Sequence, residues 1–166
     1  DGYLRKNVEG VPAGTSDVVQ IHGSGGHLCA LTRAGDVRCW GGSRSAERHE
    51  ALSIRGVRHI ASSPTASRCV VDANSAILCW GFGGLDAKAL EPTTAVGNVT
   101  RLAMTSTATC ASTASGGVQC WGTGPSSQAP SNVAAPVPDI VGGTHDACAL
   151  LGDRSVRCWG EDRRSN

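Results

Sequence analysis

Apolar and polar residues alternate along most of the chain in short runs, and helical spacing is absent apart from a thin trace over residues 45–52. Residues 18–22 read as a strand, followed by the turn Gly23-Ser24-Gly25-Gly26. Residues 27–32 read as a second strand and 37–41 as a third, joined through Ala34-Gly35-Asp36. Equivalent turns are Ala73-Asn74-Ser75, Ser115-Gly116-Gly117 and Gly152-Asp153-Arg154. The segment that follows each third strand reads as a fourth edge strand plus a loop. Alternation places Cys29, Leu31, Val37 and Cys39 on one face, with Arg38 and Trp40 on the other. Both faces carry large or apolar side chains, so both call for a neighbour.

The pattern recurs four times. Cysteines pair as Cys29/Cys39, Cys69/Cys79, Cys110/Cys120 and Cys148/Cys158, and the first members advance by 40, 41 and 38 residues. Trp-Gly follows every second cysteine, at Trp40-Gly41, Trp80-Gly81, Trp121-Gly122 and Trp159-Gly160. Upstream stands a Val-x-x-(Ile/Leu) element: Val18/Ile21, Val57/Ile60, Val99/Leu102 and Val137/Ile140. It precedes the first cysteine by one residue more in the second unit, where Ser62-Ser63-Pro64 reads as an insertion. Units of this length with three clear strands describe propeller blades better than a sandwich. The expected fold is therefore all-β: a short, partial or oligomer-completed propeller in one domain over 1–166, with repeats at about 17–55, 56–97, 98–136 and 137–160.

Composition narrows the function. At 166 residues the chain suits one domain, and 22 glycines with only six aromatics imply small, closely packed layers. Fifteen basic residues against fourteen acidic ones give a net charge of +1, which argues against a coat for nucleic acid or an anionic membrane. No apolar run approaches the roughly 18 residues of a membrane span. The chain opens on Asp1 without a leader, which reads as a processed or excised segment.

Each cysteine pair flanks a predicted hairpin at nearly symmetric positions, so the partners face one another across adjacent strands, as a disulfide requires. Buried free thiols and metal ligation stand as the alternatives. Zinc sites favour Cys-x-x-Cys knuckles, however, and the nine-residue gap supplies none. Disulfides would place the mature chain in an oxidising compartment, secreted or at the cell surface.

The stretches HLCALTRAGDVRCWG (27–41) and DACALLGDRSVRCWG (146–160) resemble the repeats of the regulator of chromosome condensation family, in the cysteine-paired form of exported bacterial proteins. The resemblance spans 17–160 and is looser in SRCVVDANSAILCWG and ATCASTASGGVQCWG. It implies a β-propeller, though the family's full ring has seven blades and this chain has four units. A fragment of a larger propeller, a four-bladed ring and half of a ring completed by a second copy all fit that count.

Candidate chemistry is sparse. His22, His27 and His145 sit at or beside turns, where a turn-stabilising hydrogen bond is the expected role. Gly23-Ser24-Gly25-Gly26 lacks the Lys-Ser/Thr of a phosphate loop and enters a strand. No nucleophile elbow occurs, and Asp36 and Asp153 fall in turns where Asp is favoured locally. No catalytic residue, cofactor or metal site is nominated. Asn98-Val99-Thr100 is a sequon, but its central valine is expected to be buried. Arg44, Arg48, Arg55 and Arg58 form a basic stretch suited to an acidic partner. The expected function is a non-enzymatic, exported protein-binding scaffold, with specificity in residues 42–55, 82–97 and 123–136. A protein partner is favoured over a surface glycan. Inhibition of an exported enzyme of the β-lactamase type is a special case, and the resemblance implies guanine-nucleotide exchange on a small GTPase as the alternative.

Overall fold

The computed structural model describes residues 11–24, 26–41, 55–65, 67–81, 92, 96–133 and 136–161. Twelve strands form four three-stranded antiparallel sheets in chain order. The first holds β1 (Val18–Ser24), β2 (His27–Thr32) and β3 (Val37–Gly41), and the second β4 (Val57–Ser62), β5 (Ser67–Asp72) and β6 (Ile77–Gly81). The third holds β7 (Val99–Met104), β8 (Ala108–Thr113) and β9 (Val118–Gly122). The fourth holds β10 (Asp139–Gly142), β11 (Asp146–Leu150) and β12 (Val156–Gly160). The first strands of successive sheets lie side by side, as the inner strands of propeller blades do.

A spacing of three between Val and Ile would put them on opposite sides of a regular strand. In the first three blades a bulge between them, at Val18/Gln20, Val57/His59 and Val99/Arg101, resets the alternation. Val57 and Ile60 thus both turn back toward the preceding blade, meeting Cys29, Leu31 and Val37, with Trp80 packed alongside. The rule repeats at the next junction, where Val99, Leu102 and Ala111 meet Cys69, Val71 and Ile77, with Trp121 alongside. At the third junction Ile140 and Ala147 meet Ala103 and Cys110, with Cys120 and Trp159 alongside. Every blade therefore has a Val/Ile/Trp face that looks backward and a cysteine face that looks forward.

The paired cysteines sit directly opposite one another in all four sheets. Cys29–Cys39, Cys69–Cys79, Cys110–Cys120 and Cys148–Cys158 are all disulfide-bonded, with Cα atoms 4.0 or 4.1 Å apart. That separation marks close, non-hydrogen-bonded cross-strand positions. The shared cysteine face is not covered evenly, as strict alternation alone would suggest. Cys29, Cys69 and Cys110 are buried on the middle strands, whereas Cys39, Cys79 and Cys120 are half-buried and Cys158 is exposed. The second cysteine of each bridge lies on the third strand, which pairs with a described strand on one side only.

The glycine after each Trp has a different cause. A Cβ on Gly122 (φ 113°) would lie 2.4 Å from the Thr107 carbonyl oxygen and 2.8 Å from Ala108 Cα, because β9 ends against the β7–β8 turn. Gly122→Ala is expected to destabilise the chain by about 2 kcal/mol or more in urea unfolding, through strain and a backbone clash together. Gly97→Ala, where an added Cβ meets nothing within 4 Å, should change stability by less than about 0.5 kcal/mol.

The expected edge strand and loop after the third Trp-Gly both need revision. The chain there forms a 3-10 turn, Pro125–Ser127, in place of a fourth strand. Pro125 supplies no backbone N–H for a sheet ladder. Ser126 in that turn is buried, its carbonyl accepts from Trp159 Nε1 at 3.1 Å, and its hydroxyl meets Thr105 Oγ1 at 3.1 Å. Val133 is likewise buried, against Val137 and Ala149. This part of the 123–136 segment therefore plugs a blade junction as well as offering a loop. The corresponding segments 42–54 and 82–91 lie outside the described residues.

Candidate functional site

The residue before each Ile or Leu is polar in all four repeats: Gln20, His59, Arg101 and Asp139. In the first three blades the bulge turns it forward, onto the cysteine face, at the inner edge of its blade, and in the fourth Asp139 lies on that face opposite Leu150. Gln20 Oε1 accepts the Ile60 amide of the next blade at 3.2 Å, and His59 Nδ1 accepts the Leu102 amide at 3.3 Å. At the last junction the Ile140 amide donates to its own Asp139 Oδ1 at 3.0 Å, and Arg101 Nε stands 3.8 Å from that oxygen. An arginine cannot accept a hydrogen bond, so the carboxylate stands between the two donors. A row of polar contacts thus runs from blade to blade along the inner strands.

His59 is the buried member of this row. Burial pushes its pKa down to about 3, with the Arg101 charge and then His22 acting in the same direction. The imidazole is neutral at pH 7 with Nδ1 unprotonated, as its acceptor role requires. His22 lies edge-on to it, with ring centroids 6.1 Å apart, and burial lowers its pKa as well. His22 occupies the position held by Ala61, Ala103 and Val141 in the other blades and belongs to a blade junction, which corrects the turn role expected for it. His145 does serve its turn: its carbonyl accepts the Glu161 amide, and Nδ1 lies 3.5 Å from Glu161 Oε2.

Of the four arginines singled out by sequence, Arg44 and Arg48 lie outside the described residues. Arg55 and Arg58 are exposed where the chain enters the second blade. Arg58 is engaged within its own blade, donating to the Asp72 carbonyl and to Ser75 Oγ, both at 2.9 Å. Asp72 Oδ1 in turn accepts the amides of Asn74 and Ala76, closing the hairpin turn. The same side of the blades carries the exposed Arg33, Asp36, Asp153 and Arg154 of the other β2–β3-type turns. The Asp153 carboxyl is held below the usual carboxylate range, first by hydrogen bonds from Ser155. This entry-side rim is mixed in charge and differs in sequence from blade to blade. Among the described residues, no group of three or more His, Cys, Asp or Glu side chains is placed to hold a metal ion.

Sequence reading missed His59 and the polar row, although a polar residue at one fixed point of four Val-x-x-(Ile/Leu) elements was the signal. It also missed Arg68, fully buried on the backward face of the second blade, where other blades carry Leu28, Thr109 and Ala147.

Four disulfide-clamped, three-stranded sheets stacked through alternating faces define a protein built of β-propeller blades. No protein-family model and no curated protein matches the chain by sequence. Solved propellers match it in fold. The ectodomain of the receptor kinase CR4 from Physcomitrella patens superposes with a TM-score of 0.64 at 21% identity, covering 86% of this chain and 40% of that one. The CRINKLY WD40 ectodomain of the Arabidopsis thaliana receptor kinase ACR4 gives 0.63 at 20% identity, covering 92% and 54%. Yeast RCC1 (Prp20), solved bound to Kap60, gives 0.65 at 14% identity, covering 90% and 45%. The chain thus spans about half the length of the structures it matches.

Proposed function

We propose that the chain is a non-enzymatic, exported scaffold that binds a protein through the entry-side rim containing Arg55 and Arg58. The observation that carries this reading is a contrast: the blade frame repeats from unit to unit, while the exposed turns and entries on one side do not. Four disulfides suit an oxidising compartment. Two of the similar folds are receptor-kinase ectodomains, and a third was solved with a protein bound. Guanine-nucleotide exchange is the alternative that the likeness to yeast RCC1 keeps in view, but disulfides are rare in the cytosol and nucleus, where such exchange takes place.

The test is affinity capture from extracellular fluid with the oxidised chain as bait, followed by binding of the captured protein to variants. Arg48→Glu, Arg55→Glu and Arg58→Glu are each expected to weaken binding with the circular dichroism spectrum unchanged. Arg55→Glu is the cleanest of the three, because Arg58 also ties its own turn. Binding that survives all three replacements places the partner elsewhere. Capture of a glycan, or nucleotide release from a small GTPase, would replace this reading.

A further inference from the structure

The third strand of each blade forms its outer edge, and β9 is the one of the four whose following segment is described as far as residue 133. That segment takes no place beside β9. Gly122 and Gly124, at φ 113° and 76°, turn the chain off the ladder, and Pro125–Ser127 packs into the junction with the fourth blade through Trp159. The turn before β9 closes onto Thr113, so among the described residues β9 pairs with β8 alone. Cys110 and Cys120 form a non-hydrogen-bonded pair, so the N–H and C=O of Cys120 point away from β8. By the strand period those of Val118 and Gly122 do so too. None of these groups has a hydrogen-bond partner among the described residues. Gln119 and Gly122 are exposed and Val118 and Cys120 half-buried, so no described element seals the edge.

Edge strands are ordinarily blunted by charge, proline or a bulge. β3 and β12 carry Arg38 and Arg157 at the register position where β9 has Gln119. Val118-Gln119-Cys120-Trp121-Gly122 holds no charge, no proline and no register shift. We infer that β9 takes up an extended segment of a protein partner as the fourth strand of the third blade, through main-chain hydrogen bonds to Val118, Cys120 and Gly122. The outward groups recur at every second residue, about 6.8 Å apart, a spacing that another β-strand matches and a helix or a glycan does not. Neighbouring side chains set what that strand carries. The Ser126 carbonyl oxygen lies 3.6 Å from Cys110 Sγ, so Pro125–Ser127 crowds β9 from the cysteine-face side and leaves room there for small residues. On the other side the exposed Gln119 suits amide or hydroxyl side chains. Pairing with β9 of a second copy is disfavoured, because a five-residue edge about 17 Å long cannot bury the roughly 800 Å² per partner of a stable interface. The edge is separate from Arg55 and Arg58, so the inference stands or falls independently of the entry-side rim.

Panning phage-displayed random heptapeptides on the full oxidised chain supplies the probe, and the enriched sequences are expected to alternate small residues with amide- or hydroxyl-bearing ones. Each peptide is then titrated against the isotope-labelled chain, with hydrogen exchange read amide by amide. Exchange at Val118, Cys120 and Gly122 is expected to slow about tenfold at saturation, while Gln119 and Trp121, already bonded to β8, stay unchanged. N-methylation of single peptide residues supplies a second readout. It should weaken binding about tenfold at every second residue, where the peptide amide faces β9, and have little effect in between. Failure to enrich any peptide overturns the inference, as does protection confined to residues outside β9 or an N-methyl pattern without alternation. Slowing at Val118 and Cys120 that needs no peptide and grows with protein concentration also overturns it, because the occupant is then a second copy.

Discussion

Replacing Cys69 and Cys79 together by alanine is expected to cost about 4 kcal/mol in urea unfolding, against about 3 kcal/mol for the same change at Cys148 and Cys158. All four bridges join residues ten apart, so the chain-entropy contribution is nearly constant, about 3 kcal/mol each. The difference comes from position. Cys69 is fully buried between the second and third blades beside Val71, Leu102 and Met104, and deleting the sulfurs there opens a void between two sheets. Cys158 is exposed and Cys148 only half-buried, so removing their sulfurs opens no such void. Equal losses in the two variants, measured at one protein concentration, would show that the bridges act on the unfolded chain alone.

Lowering the pH from 7.5 to 5.0 is expected to cost about 2 kcal/mol through His59. In the unfolded chain this imidazole takes up a proton near pH 6.5, while in the fold it stays neutral down to about pH 3. The unfolded state therefore binds more protons between those values. The stabilisation is complete above pH 6.5 and is lost progressively as pH falls toward 3. His22 acts in the same direction. His59→Gln isolates the effect, because a glutamine oxygen can accept the Leu102 amide as Gln20 accepts that of Ile60. The variant should match the wild type at pH 7.5 in urea midpoint and lose most of the acid sensitivity. An unchanged pH slope in the variant would assign that sensitivity to other groups.

The blade frame was legible because the repeat shows the same physical constraint four times. Cysteines at symmetric distances from a turn, and a Trp-Gly after every second one, are local features that one sequence displays openly. The division of the first blade into two faces also followed from alternation, since Leu31 and Val37 do share a face with the Cys29 pair. How deeply each cysteine lies was not legible, because the half-buried Cys120 and the buried Cys110 differ only in which strand carries them. The polar row was hidden by the bulge. Without knowing that alternation resets between Val57 and His59, His59 cannot be assigned to a face, and it looks like one more polar residue in a basic stretch. The segment after the third Trp-Gly misled for another reason. It was read as an edge strand plus loop like the others, but the buried Ser126 satisfies Trp159 and Thr105 across a junction, and no local pattern records contacts so distant in sequence.

The junctions share one packing rule yet carry different polar locks. The first pairs Gln20 with the Ile60 amide and sets His22 against His59; the second uses His59 alone; the third uses Arg101 with Asp139. Identical apolar faces would let any blade stack on any other, leaving a nascent chain free to skip a unit or exchange one with a neighbouring molecule. Arg101 brought against a second histidine-bearing blade finds no carboxylate, and His22 brought against Thr100 and Arg101 finds no ring. The inner strands therefore work as an address system: the hydrophobic code says that blades join, and the polar code says in which order.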